Sequence, residues 1–522
     1  MGSPKAEPED QLDWRYLSWD NVNELEDINT QYHSLQDNGG TVPQTPKYAN
    51  PFEWSAGYKM YLSILGFVAN FSTTYAGGSY TSATDAMAEV WHVSRVAVLV
   101  GVTLYTVAFG LAPMLLAPFS ELNGRRPVVV VSGVAFVVGV LFCAVTRLYV
   151  GMLLARVLVG IASSTYAVVI VGIVADIYTD ARSRYISLSL FTSGAMFGTG
   201  FGPLISAFIV QNTHWRWLFG VLGIFCLAMV IVIVATFKET RGSVLLSRKA
   251  KALNRWYDAV ESSLDSHVVQ AEKGTPSRIR WKVKADEERQ NIGQMMVISL
   301  TRPMWLLFTE PAIFFFSCWA GFAWSIMYAM LVVVPYTFQT VYGFDLQTSS
   351  AMFAAMCIAT IIMTIVSRYH DGWAAYFVAK EKLDTPEGIL YPVAVEAALL
   401  PVGLFWYGRG AQQGAHWIVP ALGLGCATMG MFAVYLAVFA YLAGAYKEYA
   451  SSANAAQSMV RNLMGGAFPL FSQVMFQRLG FGGACSLLGG LGIVLTFVPW
   501  TLIFYGPKIR AKSKFAFRGD SS

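Results

Sequence analysis

Residues 117–127 read Ala117-Pro-Phe-Ser-Glu-Leu-Asn-Gly-Arg-Arg-Pro127, and they join two long apolar runs, 96–118 and 127–146. Each run is close to the roughly 20 residues an α-helix needs to cross a bilayer. A connection this short makes the two helices cross in opposite directions, with the arginines at a membrane surface. Gly124 permits the tight turn of two to three residues. Glu121 suits accepting hydrogen bonds from a neighbouring helix N-terminus, and Arg125 and Arg126 suit a carboxylate at the end of another span. Such pairing makes a conformational latch. Anchoring by positive charge is the plainer reading, but it explains the arginines and not the acid, proline and glycine beside them.

The same apolar signature recurs along the whole chain. Of 522 residues, 55% are apolar and 13% charged, against roughly 45–50% and about 25% in soluble domains. Spans are expected at 58–80, 96–118, 127–146, 149–175, 185–210 and 217–237, then at 313–334, 349–366, 390–407, 417–441, 453–475 and 482–505. The fold class is an all-α membrane protein with twelve transmembrane helices in two six-helix halves, 58–237 and 310–505. A central loop, 238–309, separates them. The N-terminal tail, 1–57, holds ten acids against three bases and is expected to be disordered. A basic tail, 506–522, ends the chain.

Lys and Arg accumulate on the cytoplasmic side of membrane proteins. With the N-terminus inside, thirty of the 37 basic residues fall in cytoplasmic segments, five outside and two within spans. Both termini are therefore expected in the cytoplasm. The loop carries thirteen of those bases, and within it Leu246, Ala250, Leu253, Tyr257 and Val260 recur at helical spacing beside Arg248, Lys249, Lys251 and Arg255. This pattern fits an amphipathic helix at the membrane interface or, equally, a solvated linker.

The net charge of +5 comes with no dense basic and aromatic face, so nucleic acid is not an expected partner. The six cysteines sit apart in apolar runs and read as small buried hydrophobes. The six histidines are dispersed without ligand spacing, and no phosphate loop occurs. No metal or cofactor is expected, and a polytopic enzyme lacks the side-chain cluster it would need.

Charged residues within spans are few. Arg156 lies early in span four and Arg461 in span eleven, where a guanidinium costs about 2.5–3.5 kcal/mol at mid-membrane on insertion scales. Glu396, in span nine, is the one carboxylate well inside an expected span. It reads either as a proton carrier, with Arg461 as partner or as a substrate-site charge, or as a solvated or paired residue near the cytoplasmic mouth. Asp176, at the end of span four, is the expected partner of Arg125. Gly194, Gly198 and Gly202, followed by Pro203, let span five approach a neighbour closely. A cavity between the halves near the midplane would be lined from Asn70, Thr73, Thr74 and Tyr166, from Trp319, Phe322 and Trp324, and from Asn454 and Gln457. Such a wall suits a largely apolar, planar small molecule.

The 117–127 segment resembles the loop motif of the major facilitator superfamily, in the form seen in fungal twelve-span drug:proton antiporters. Asn50-Pro-Phe-Glu-Trp-Ser55, Arg156-Val-Leu-Val-Gly160 with Ala175-Asp176, Gly198-Thr-Gly-Phe-Gly-Pro203, Trp215-Arg-Trp217 and 449–471 are similar to further motifs of that family. The chain departs from the general pattern at Ala117, Glu121 and Leu122, at Ser206 and Ala207, and in the degenerate second-half loop copy at Ser367-Arg-Tyr-His-Asp-Gly372. The resemblance implies a monomeric secondary transporter of the plasma membrane that exports drugs, toxins or secondary metabolites against inward proton flow. It further implies proton coupling through Arg156 and a leak-blocking role for the span-five glycines, beside the packing roles both also fit. The alternative within transport is uptake of a small nutrient, proton-coupled or facilitative.

Overall fold

The computed structural model describes residues 13–19, 21, 48–265, 279–287, 292–370, 372, 385–446 and 449–516. Span 1 is Ala56–Ser79, span 2 Arg95–Asn123, span 3 Arg125–Val145, span 4 Tyr149–Ile177, span 5 Ala181–Asn212 and span 6 Arg216–Thr236. Span 7 is Pro311–Tyr342, span 8 Leu346–Ser367, span 9 Pro386–Gln412 and span 10 Ile418–Ala445. Ala450–Lys512 holds spans 11 and 12, joined at Gly480, whose φ of 70° breaks the helix. Ten of these helices are long and apolar enough to cross a bilayer. Span 1 falls short of that hydropathy because Asn70, Ser72, Thr73 and Thr74 interrupt it, yet it packs as a core helix of the first half.

Helix starts follow the sequence. Ser55, Ser94, Asp180 and Asp345 each precede a span, and each side chain accepts a backbone N–H of the first turn. A cap of this kind stabilises a helix by roughly 1 kcal/mol. The turn between spans 2 and 3 is tighter than expected: helix runs to Asn123 and resumes at Arg125, leaving Gly124 alone between them.

The two halves meet along seams that include spans 5 and 8 and spans 2 and 11. Spans 5 and 8 are joined by hydroxyl pairs, Ser189 to Ser367 and Ser193 to Thr364. On the second seam Thr103 of span 2 donates to the carbonyl of Gly466 in span 11 at 2.7 Å. An even number of spans brings both termini to one end, which also carries most of the Lys and Arg and is called the basic end here.

At that end the tail differs from expectation. Asp13–Tyr16 forms a strand, β1, paired in parallel with Ile279–Lys282, β2, of the central loop. Beside them lies a loop helix, Gly242–Asp265. Its stripe of Leu246, Ala250, Leu253 and Tyr257 packs with Leu17, Trp256, Ile279, Trp281 and Val283 into a small core separate from the membrane bundle. The apolar face is thereby covered by protein. The side chain of Val260, the last member of the expected stripe, and residues 22–47 of the tail lie outside what is described.

Candidate functional site

The loop between spans 2 and 3 forms the first cluster. Arg125 is buried, and its Nε donates to Asp176 Oδ2 at 3.1 Å while Nη1 donates to Ser120 at 2.9 Å. Asp176 also receives Arg241, at 3.4 Å. The expected pair is present, and all of its members belong to the first half or to the chain just after span 6. Arg126 is exposed and donates to the carbonyl of Val234 at 3.1 Å.

Glu121 does not take the role expected of it. It lies in the last turn of span 2, where unpaired carbonyls and not N–H groups face outward, and it forms no ion pair among the described residues. Glu239 serves the helix N-terminus instead. Its carboxylate accepts the backbone N–H of Arg125 at 2.7 Å and of Arg126 at 3.2 Å, and those of Thr240 and Arg241 as well. Gly124 is required for this: its φ is +99°, and a β-carbon there would overlap the Glu239 carboxylate. The signal for Glu239 was a lone acid directly after span 6, set among Lys238 and Arg241.

The second cluster lies between the halves. Arg156 is buried, donating to the carbonyls of Ala76 at 2.8 Å and Gly101 at 3.3 Å, so it ties span 4 to spans 1 and 2. The rings of Tyr80 and Tyr105 each lie 4.5 Å from its guanidinium carbon. Arg461, in the other half, occupies a similar box, 4.5 Å from the Trp324 ring and 4.6 Å from Tyr435. Trp324 stacks on Tyr435 at 5.0 Å. Tyr328, one turn further along span 7, places its hydroxyl against Gly77 of span 1 and so links this box to the first half.

The two arginines differ in how their hydrogen bonds are used. Arg461 makes one, to Ser458 Oγ at 3.3 Å, and its Nε and Nη1 have no partner. One turn before it, both amide atoms of fully buried Gln457 are unpartnered, as are Trp324 Nε1 and Asn454 Oδ1. Buried polar atoms are normally paired. At 1.5 Å rise per residue, Arg461 and Trp324 lie about halfway through their helices.

The other expected lining residues are engaged elsewhere. Asn70 donates to the carbonyl of Phe191 at 2.8 Å and Thr74 to that of Gly194 at 3.4 Å, which puts these two in the seam between spans 1 and 5, while Thr73 donates back to the Asn70 carbonyl and its own carbonyl accepts the Tyr105 hydroxyl of span 2 at 2.6 Å. Tyr166 reaches the carbonyl of Val129, toward span 3. Trp319 packs on Phe316, and Phe322 faces Gly492 of span 12. Gly194, Gly198 and Gly202 face the carbonyls of Phe67, Phe71 and Tyr75, and Pro203 lies against Gly78 of the same helix.

Glu396 does not pair with Arg461. Its Oε1 lies 2.7 Å from His370 Nε2, a contact that is an ion pair when the imidazole carries a proton and is not an aligned hydrogen bond. His370 Nδ1 is 2.8 Å from the Tyr185 hydroxyl. A chain of three titratable groups therefore joins spans 5, 8 and 9 across the seam near the basic end. His370 was one of the dispersed histidines, and no spacing in the sequence pointed to it.

At the opposite end Gln211 donates to Asp345 Oδ2 at 2.8 Å and accepts the N–H of Gln347, clasping span 5 to span 8. Asp345 is held below the usual carboxylate range by the Thr348 side chain, then by the Thr348 amide and Gln211. A depressed carboxylate contributes above its unfolded value of about 3.9 and loses that contribution only as pH falls through the lower folded value. Spin labels at positions 213 and 340 should report one separation from pH 8 to about pH 4.5; a change centred near pH 5 would contradict this.

Residues 62–469 match the family model described as Major Facilitator Superfamily. The chain belongs to the major facilitator superfamily. It is 30% identical over 490 residues to "MFS transporter cpaT" of Aspergillus oryzae, covering 93% of this chain and 94% of that one. It is 27% identical to "Probable drug/proton antiporter YHK8" of Saccharomyces cerevisiae, over 89% and 87% of the two chains. Among solved structures, the proton:xylose symporter XylE bound to 6-bromo-6-deoxy-D-glucose aligns with a TM-score of 0.57 at 14% identity, covering 86% of this chain and 97% of that one. At that identity the likeness speaks for the fold alone.

Proposed function

We propose that this superfamily member is a proton-coupled exporter of hydrophobic small molecules, a drug, toxin or secondary metabolite, in the plasma membrane with both termini in the cytoplasm. The carrying observation is the set of buried, unpartnered polar atoms on Arg461, Gln457 and Trp324 inside an aromatic box at mid-membrane. A planar apolar molecule would stack on the rings, and a carbonyl or carboxylate oxygen on it would meet the free N–H groups of Arg461. The drug/proton antiporter name of the yeast relative supports the direction of transport.

Protons would enter through Glu396 and His370. A proton on Glu396 removes its attraction for His370, and with it one contact between spans 8 and 9 at the seam with span 5. Alternating access needs such a bistable contact, biased differently by its two ligands. One proton moving down about 100 mV and one pH unit releases roughly 3.7 kcal/mol, enough for about a 500-fold substrate gradient.

Glu396→Gln is the discriminating variant. In proteoliposomes it should keep substrate exchange within about threefold of the parent protein while losing uphill transport driven by an imposed pH gradient. Uphill transport at the parent rate would remove Glu396 from the coupling path. Loss of exchange as well would assign it to structure.

A further inference from the structure

Between the loop helix and the basic ends of spans 1, 3 and 6 lies an open cavity of about 890 Å³. Five basic side chains line it: Arg126, Lys238, Arg248, Lys251 and Arg255. None of them pairs with a carboxylate among the described residues, and all five are exposed. The one acid in the wall, Glu239, is buried and already accepts four backbone N–H groups. Among the described residues the cavity therefore gathers five positive charges without counterions.

The fold holds that arrangement in place. Arg248, Lys251 and Arg255 are spaced to share one face of the loop helix. The opposite face, through Leu246, Ala250, Leu253 and Tyr257, is fixed by the small core that β1 and β2 complete. Pinning the apolar stripe turns the basic face toward the ends of spans 3 and 6. The outer surfaces of those spans are apolar and exposed at Val131, Val134, Val232 and Val234, so a lipid-facing surface runs down to Arg126 and Lys238. Trp54, on the span 1 side, adds an interfacial aromatic to the wall.

We propose that this cavity binds a multiply charged phosphate ester of the kind carried by a phosphorylated inositol headgroup. Clustered Lys and Arg beside a membrane span attract anionic lipid, each base counting for about a fivefold change in affinity. The exposed valines would receive the acyl chains of a lipid bearing that headgroup. The site is separate from the box around Arg461, and its occupancy does not depend on transport.

The test uses the full-length protein in detergent and titrates three ligands: short-chain phosphatidylinositol 4,5-bisphosphate, soluble inositol hexakisphosphate and short-chain phosphatidylcholine. The parent protein should bind the phosphorylated ligands and not phosphatidylcholine, and Lys251→Gln with Arg255→Gln should weaken that binding about 25-fold. Both substitutions are on exposed side chains, and an unchanged melting temperature checks the fold. Raising salt from 50 to 300 mM should weaken binding to the parent protein, a readout that needs no variant. Tighter binding of the lipid than of the soluble phosphate assigns a membrane lipid as the source; equal binding assigns a soluble phosphate. An affinity within twofold in the double variant, or no preference over phosphatidylcholine, overturns the proposal.

Discussion

Arg461→Met is expected to cut gradient-driven export at least a hundredfold while leaving the melting temperature of the purified protein unchanged or raised. Arg461 is fully buried, with one hydrogen bond at 3.3 Å and two N–H groups unpartnered. The aromatic faces of Trp324 and Tyr435 offset part of its desolvation, at about 2 kcal/mol each when water is excluded. An apolar side chain of similar length removes the buried charge and keeps the contacts, a change often neutral or stabilising. The hundredfold loss corresponds to about 2.7 kcal/mol, within the range for a hydrogen bond to a charged group. Thermal melting and efflux measured on one preparation separate the two effects. Normal efflux, or a melting temperature lowered by several degrees, would make Arg461 a structural residue.

Gly198→Leu should prevent accumulation of folded protein. A β-carbon at position 198 would come within 2.5 Å of the Phe71 carbonyl oxygen and overlap the Thr74 hydroxyl. Gly194 and Gly202 meet the same helix one turn away on either side, so span 1 cannot tilt aside without opening the whole seam. Overpacking of a tight core costs about 1–3 kcal/mol and sometimes more, against a total stability of roughly 5–15 kcal/mol. Gly490→Leu supplies the contrast, because a β-carbon there meets nothing within 4 Å. Fluorescence-detected size exclusion should show a monodisperse peak for position 490 and aggregate or no peak for position 198. A monodisperse but proton-leaky Gly198→Leu protein would instead favour the leak-blocking reading.

What the sequence carried and what it withheld divide along physical lines. Span number and the six-loop-six order follow from apolar run length, because a bilayer demands about 20 residues of helix. The Arg125–Asp176 pair was also legible, since each residue sits at a helix end whose position the runs define. Glu239 was not, because its partners are backbone N–H groups exposed only when Gly124 adopts positive φ. Asn70, Thr73 and Thr74 read as cavity lining, but helical spacing gives a face without naming the helix against it; that helix is span 5 for Asn70 and Thr74 and span 2 for Thr73. The pairing of β1 with β2 joins four-residue segments more than 260 positions apart, beyond any local periodicity. The Tyr185–His370–Glu396 chain, drawn from three helices, was hidden for the same reason.

The central claim is that outward substrate movement and inward proton movement are one event. It is tested most directly in de-energised proteoliposomes at equal internal and external pH, with a pH dye inside and an outwardly directed substrate gradient from a panel of planar apolar compounds. Efflux of a transported compound should acidify the lumen, and Glu396→Gln should pass substrate without the acidification. Efflux with no change in luminal pH in the parent protein, for every compound it carries, would contradict the account and leave facilitated transport in its place.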